Sequence, residues 1–216
     1  MAGRGLFVTL EGGEGAGKST LLRAIASALD GTGKEVVATR EPGGTPEGEA
    51  LRRILLEAAP GAWEPISEAL LHYAARAQHV THVIRPALAR GAVVLSDRFA
   101  DSTMVYQGYG LGVAGEAIAA IHRAVLGDFR PDLTVVLDVP VEVGLARAAR
   151  HRTPDRYEAD ERAFHERVRQ GFLAIAAAEP ERCAVVDATR PADEVREAVL
   201  RLIARRLGLP LAASAE

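Results

Sequence analysis

From Gly12 to Ser19 the chain reads Gly-Gly-Glu-Gly-Ala-Gly-Lys-Ser, the spacing G-x-x-x-x-G-K-S. An apolar run precedes it and helix-forming residues follow it. No other feature constrains the fold as much, because such a loop works only between a strand and a helix. Its glycines let the backbone curl until successive N–H groups converge. The helix opening near Lys18 adds the positive end of its dipole. Convergent donors of this kind suit phosphate oxygens. Lys18 can reach the β- and γ-phosphates of a nucleoside triphosphate, and the Ser19 hydroxyl can ligate Mg²⁺. Gly12, Gly13, Glu14, Gly15, Ala16, Gly17, Lys18, Ser19 and Thr20 are therefore candidates for triphosphate binding. A chance glycine-rich turn is the alternative, and it requires neither the strand nor the helix.

The rest of the chain continues that alternation. Short β-rich runs at 6–10, 35–39, 92–96, 133–137 and 184–186 are separated by Ala/Leu/Arg/Glu-rich segments near 18–29, 47–59, 66–90, 114–127, 141–150, 159–179 and 192–208. Several strands are continuous apolar runs, as strands covered on both faces must be. The pattern predicts an α/β fold: a five-stranded parallel sheet with helices on both faces. Such sheets bind ligands beyond the carboxyl ends of their strands. At 216 residues, with no repeat and no Ser/Gly-rich linker, the chain reads as one domain over 1–216.

Composition excludes some partners. A formal net charge of −3 provides no basic field for nucleic acid. No apolar run approaches the roughly 18 residues that span a bilayer, and the start is too short in apolar residues for a signal peptide. These features predict a cytoplasmic protein without nucleic-acid or membrane partners. The lone Cys183 opens the last apolar run and reads as core.

Two further features narrow the chemistry. The third strand ends Ser96-Asp97-Arg98. Asp97 stands where a Mg²⁺-organising carboxylate belongs, and Arg98 brings a rigid bidentate donor for a second phosphate. A surface ion pair at a strand end is the plainer reading. Near 147–158, Arg147, Arg150, Arg152 and Arg156 flank a Pro-broken segment between two helices. A mobile lid of arginines would stabilise charge on a transferring phosphoryl group and exclude water. A solvated basic turn is the alternative.

Four stretches together carry a family resemblance over nearly the whole chain, from Leu6 to about Leu207. They are Phe7 to Thr20, Thr39-Arg40-Glu41-Pro42-Gly43-Gly44-Thr45, Tyr73-Ala74-Ala75-Arg76, and Asp97 through Gln107 with its Asp-Arg…Ser-Thr…Tyr-Gln pattern. The sequence resembles the thymidylate kinases, a branch of the nucleoside monophosphate kinases. The resemblance implies transfer of the γ-phosphoryl group of ATP to dTMP with Mg²⁺, in a homodimer. It assigns Arg98 to the acceptor phosphate and Arg76 to the thymine edge. It gives the nucleoside pocket to Ser102, Thr103, Tyr106 and Gln107, with Tyr106 crowding a ribose 2′-hydroxyl. It puts Glu11 near the phosphates and metal, Arg40, Glu41 and Pro42 on the acceptor side, and Thr189 and Arg190 beside the donor adenine. Asp97 joins Ser19 as a metal candidate.

The chain departs from the family in two places. His72 stands where a phenylalanine often stacks on thymine, so either the imidazole stacks, with a pH-dependent charge, or Tyr73 takes that face. The positions at which some members carry a P-loop arginine hold Glu14 and Ala16, which implies that the lid supplies it: Arg152 first, then Arg150 and Arg156.

Overall fold

The computed structural model describes residues 5–30, 32–59, 61–149 and 162–208. Five parallel strands, β1 (Leu6–Glu11), β2 (Val36–Arg40), β3 (Val93–Asp97), β4 (Leu133–Asp138) and β5 (Cys183–Asp187), form one sheet. Their order is β2-β3-β1-β4-β5, so β1 runs through the centre. All six of its residues are buried. Cys183 is buried at the start of β5, and burial pushes its thiol up to about 11.

Alternation sends successive side chains to opposite faces. On one face Leu6, Val8 and Leu10 meet α1 (Lys18–Asp30) and α9 (Ala192–Leu207). Both helices are held by apolar stripes at helical spacing, Leu21/Leu22/Ile25/Leu29 and Val195/Val199/Ile203. On the other face Phe7, Val94 and Phe99 pack with α3 (Pro65–His79), α4 (Arg85–Ala89) and α6 (Gly115–Leu126). Phe7 meets the Phe99 ring edge-on at 4.9 Å. The helix α2 (Pro46–Glu57) begins at Thr45, whose hydroxyl accepts from Gly48 N at 3.0 Å, with Pro46 in the first turn.

The sequence reading anticipates one helix over 66–90. The structure breaks it at His79 into a wide π-type segment, Val80–Ile84, before α4 resumes. Pro86 lacks the N–H that a regular ladder needs there. The stretch after β3, which carries no helical signature, also winds up: α5 (Ala100–Thr103) runs into a wide turn over Met104–Gly110. Its β-branched residues and glycines hide it from propensity. Tertiary contact holds it against α8 (Arg162–Ala178), where a Cβ on Gly110 would lie 2.6 Å from the Phe164 ring. The remaining helix, α7 (Val141–Ala148), follows β4.

Register positions the site. Leu10 lies abreast of Asp97, and Asp97 abreast of Arg40. Two more ladder bonds, Arg98 N to Leu10 O (3.0 Å) and Glu41 N to Asp97 O (2.9 Å), carry the row one residue further. Glu11, Arg98 and Glu41 thus stand side by side on the rim beyond the carboxyl ends of β1, β3 and β2.

Candidate active site

A cleft of about 390 Å³ opens over that rim. One wall is the loop after β1. Gly12, Gly15 and Gly17 all take positive φ, as the curl demands. At Gly15 the requirement is also steric, since a Cβ there would sit 1.9 Å from Gly144 O in α7. Lys18 is buried and donates to the carbonyls of Gly12 (3.0 Å) and Gly13 (2.8 Å). Burial, then the charge of Arg98, lowers its pKa. Ser19 Oγ donates to Asp97 Oδ2 at 2.5 Å. Two hard oxygens from different elements therefore meet at the cleft wall, a donor set that suits Mg²⁺, which keeps most of its ligands as water and phosphate. Among the described residues no cluster of three or more His, Cys, Asp or Glu side chains could hold a metal without such outside ligands.

Arg98 crosses the middle of the cleft from a left-handed backbone (φ 70), and Ser96 Oγ holds that turn by donating to Arg98 O at 2.8 Å. Its guanidinium reaches Glu14 Oε1 (2.6 Å), the Tyr106 hydroxyl (3.0 Å) and Ser102 Oγ (3.2 Å). Tyr106 in turn donates to Glu14 Oε1 at 2.8 Å. Burial alone would lower the Arg98 pKa, but Tyr106, Glu14 and Asp97 raise it further, so this cation is permanent. Burial drives the Tyr106 hydroxyl well above its usual range, and it stays protonated. Glu14, grouped by sequence with the triphosphate loop, turns its carboxylate toward Arg98 and Tyr106.

The far wall comes from α3 and the wide turn. Arg76 is 2% exposed. Its Nε donates to Glu41 Oε2 at 2.6 Å, and its Nη2 donates to Phe99 O and Thr103 Oγ1, each at 3.1 Å. Its Nη1 has no hydrogen-bond partner among the described residues. Gln107 gives Nε2 to Glu68 at 3.2 Å, and its Oε1 has no hydrogen-bond partner among the described residues. Both residues line the cleft, and among the described residues they bring to its wall one buried donor and one buried acceptor without partners.

Most of the sequence-predicted residues converge here: Thr20, Arg40, Glu41, Pro42, His72, Asp97, Ser102 and Thr103 line the same cleft as Lys18, Arg76 and Arg98. Several do not. Tyr73 is buried behind the wall, its hydroxyl 3.2 Å from His122 Nδ1, because adjacent helix positions point about 100° apart. His72 is the one facing the cleft, half-buried. Burial, then Arg76, Arg98 and Arg52, pulls its pKa down to about 3, so the ring is neutral across the physiological range, against the pH-dependent charge anticipated above. Glu11 is fully buried beneath the floor. It accepts from Phe99 N (2.7 Å) and Ser102 Oγ (2.6 Å), which fixes the Arg98 turn from below. Gly12 and Gly13 face a smaller space behind the loop, and Ala16 joins the core. Thr189 closes a small turn on Asp187 and Arg190 pairs with Glu194 (2.6 Å), both outside the cleft. Arg150, Arg152 and Arg156 lie outside the described residues. Arg147 donates to Ala188 O at 2.8 Å, tying α7 to the loop after β5.

Some cleft residues escaped the sequence reading. Arg52 and Leu56 line it from one face of α2 at i, i+4. Arg52 also donates to Pro42 O at 2.9 Å. His79, one turn after Arg76, lies behind Glu41. The i, i+3 spacing of Arg76 and His79 was the available signal.

The chain is similar to known proteins over most of its length. The family model described as thymidylate kinase matches residues 10–199. A thymidylate kinase of Caulobacter vibrioides is 52% identical over 206 residues, covering 95% of this chain and 99% of the relative. One from Pseudomonas fluorescens is 54% identical over 199 residues, covering 92% and 95%. Among solved structures, thymidylate kinase from Ehrlichia chaffeensis superposes with a TM-score of 0.74 at 33% identity, covering 93% of this chain and 98% of that one.

Proposed function

This chain belongs to the thymidylate kinase family and transfers the γ-phosphoryl group of ATP to dTMP, giving dTDP and ADP, and we propose that the cleft beyond β1, β3 and α3 is where it does so. The pair of unmet groups on its far wall carries this reading. Thymine presents a carbonyl acceptor at C4 and an N–H donor at N3, which complement Arg76 Nη1 and Gln107 Oε1. Cytosine reverses both, setting donor against donor and acceptor against acceptor. A buried group left unpaired costs about 1–3 kcal/mol, so a mismatched base is strongly rejected.

The transfer needs no strong base, because the attacking phosphate oxygen is already ionised. Positioning and charge neutralisation do the work. Arg98, anchored by Glu14, Ser102 and Tyr106, holds the acceptor phosphate. Lys18 exchanges the Gly12 and Gly13 carbonyls for the β- and γ-phosphates of ATP. The loop amides from Gly13 to Thr20 bind the same phosphates. Ser19 and Asp97 are the residues that would hold Mg²⁺, which supplies neutralisation of phosphate charge when bound. Arg152, with Arg150 and Arg156, would cover the transferring group from the lid, and Thr189 and Arg190 would flank the adenine. Tyr106 borders the sugar and His72 the base.

ADP release from Mg-ATP, measured with dTMP, dUMP, dCMP, UMP, AMP and GMP in turn, tests the assignment. Strong stimulation by dTMP, weaker by dUMP and very little by dCMP supports the Arg76/Gln107 edge. Equal use of dCMP would remove it.

The protein is also proposed to be a cytoplasmic homodimer. The helix α3 and the two helices that pack on it, α2 and α6, carry exposed apolar side chains: Ile54, Ile66, Leu70 and Val125. The family resemblance implies a second copy of the chain, and these side chains are the surface proposed to meet it.

A further inference from the structure

Behind Arg76 a polar chain runs from Glu41, which borders the cleft, to His79, which does not reach it. Glu41 is clamped at both carboxylate oxygens by one face of α3: Oε2 accepts from Arg76 Nε at 2.6 Å, and Oε1 lies 2.9 Å from His79 Nδ1. The other nitrogen of His79 is 2.7 Å from Thr39 Oγ1 at the end of β2. The ring is 0% exposed. The loop after Glu41 closes over it so tightly that a Cβ on Gly44 (φ 81) would lie 2.5 Å from His79 Cδ2. A carboxylate can only accept, so Nδ1 carries the proton facing Glu41.

The consequence concerns how Arg76 is gripped. An arginine beside a carboxylate ordinarily forms two parallel hydrogen bonds. Here it forms one, and the second oxygen is bonded to His79 instead. Nη2 then bonds Phe99 O and Thr103 Oγ1, and Nη1 has no partner among the described residues. Without His79, Oε1 would take its second bond from the guanidinium itself, side-on through Nε and Nη2. The fork would turn away from Phe99 and Thr103, and Nη1 would turn with it.

We propose that His79 is a positioning residue for acceptor selection: by holding one oxygen of Glu41 it keeps Arg76 singly bonded, with its free donor set for the base edge. The proposal rests on Arg76 as the base reader. A merely structural histidine would influence both substrates alike, whereas this one acts on the acceptor side alone.

Steady-state kinetics of the full chain decide the matter, with KM for dTMP, KM for ATP and the ratio of kcat/KM for dTMP over dCMP as readouts. His79→Leu is expected to raise KM for dTMP about ten- to a hundredfold and to lower the dTMP/dCMP ratio by a similar factor, the scale of a hydrogen bond to a charged group. KM for ATP should stay within about threefold. His79→Asn, which restores a donor near Nδ1, should recover most of the loss. Thr39→Val, a milder change that keeps the ring, should move the same readouts by a few-fold and serves if His79→Leu fails to fold. Arg76→Lys separates the two claims. If it leaves the dTMP/dCMP ratio unchanged, the base-reader reading falls and the proposal with it. If Arg76→Lys collapses the ratio while His79→Leu and Thr39→Val leave it intact, or shift both KM values together, His79 has no positioning role.

Discussion

Replacing Glu11 with Gln isolates the effect of one buried proton. Glu11 is sealed under the Arg98 turn, and burial, reinforced by the charge of Asp101, raises its pKa from 4.5 to about 8 despite donation from Ser102 and Phe99. An unfolded glutamate gives up its proton near pH 4.5, while the folded one keeps it to about 8. Through that window the native state binds more protons than the unfolded state, so the Glu11 contribution to stability falls as pH rises. It is flat above about 8, where both forms are ionised. One proton corresponds to about 1.4 kcal/mol per pH unit, so the loss across the window amounts to several kcal/mol. Glutamine keeps an acceptor for Phe99 N and a group for Ser102 Oγ, whose hydroxyl can reverse, but it cannot ionise. Urea denaturation at half-unit steps from pH 5.5 to 9 is the assay. The stability of Glu11→Gln relative to the native chain should climb by about 1 kcal/mol per pH unit and level off above pH 8. All other groups cancel in the difference. Parallel stability–pH curves would refute the reasoning, and a difference that grows toward acid would reverse its sign.

Other outcomes follow from single contacts. Because the His72 pKa is depressed to about 3, no proton is gained or lost there between pH 6 and 9. The KM for dTMP should therefore show no step attributable to His72, and His72→Phe should leave its pH profile unchanged while lowering it a few-fold through a larger stacking face, as steady-state kinetics would show. Gly15→Ala places a Cβ 1.9 Å from Gly144 O on a left-handed backbone. It should destabilise the loop by at least about 2 kcal/mol and abolish ATP binding, read by thermal denaturation with and without ATP. Leu70→Glu, on the exposed apolar face of α3, should shift the sedimentation coefficient from dimer to monomer at micromolar concentration.

Much of this protein was written locally. The spacing from Gly12 to Ser19 dictated strand, loop and helix, because only that sequence of elements aims amide donors at one phosphate. Continuous apolar runs dictated a sheet buried on both faces. Asp97-Arg98 at a strand end and the Tyr-Gln pair at 106–107 were legible by type and position. What local pattern could not carry was direction and pairing. Tyr73 and His72 are neighbours in sequence, and only the packing of α3 against the sheet decided which one faces the cleft. Glu11 reads as a carboxylate beside the phosphate loop, and only the packing around β1 shows that it is buried and supports the Arg98 turn. The helical winding from Ala100 to Gly110 runs against its own propensities and exists because α8 packs on it. The clamp of Glu41 by Arg76 and His79 joins residues 35 and 38 positions apart in the chain. Residue type and short-range spacing determined which chemical groups were available. Tertiary structure alone decided which donor and acceptor were left unpaired in the cleft, because satisfaction of a buried polar group is a property of everything packed around it.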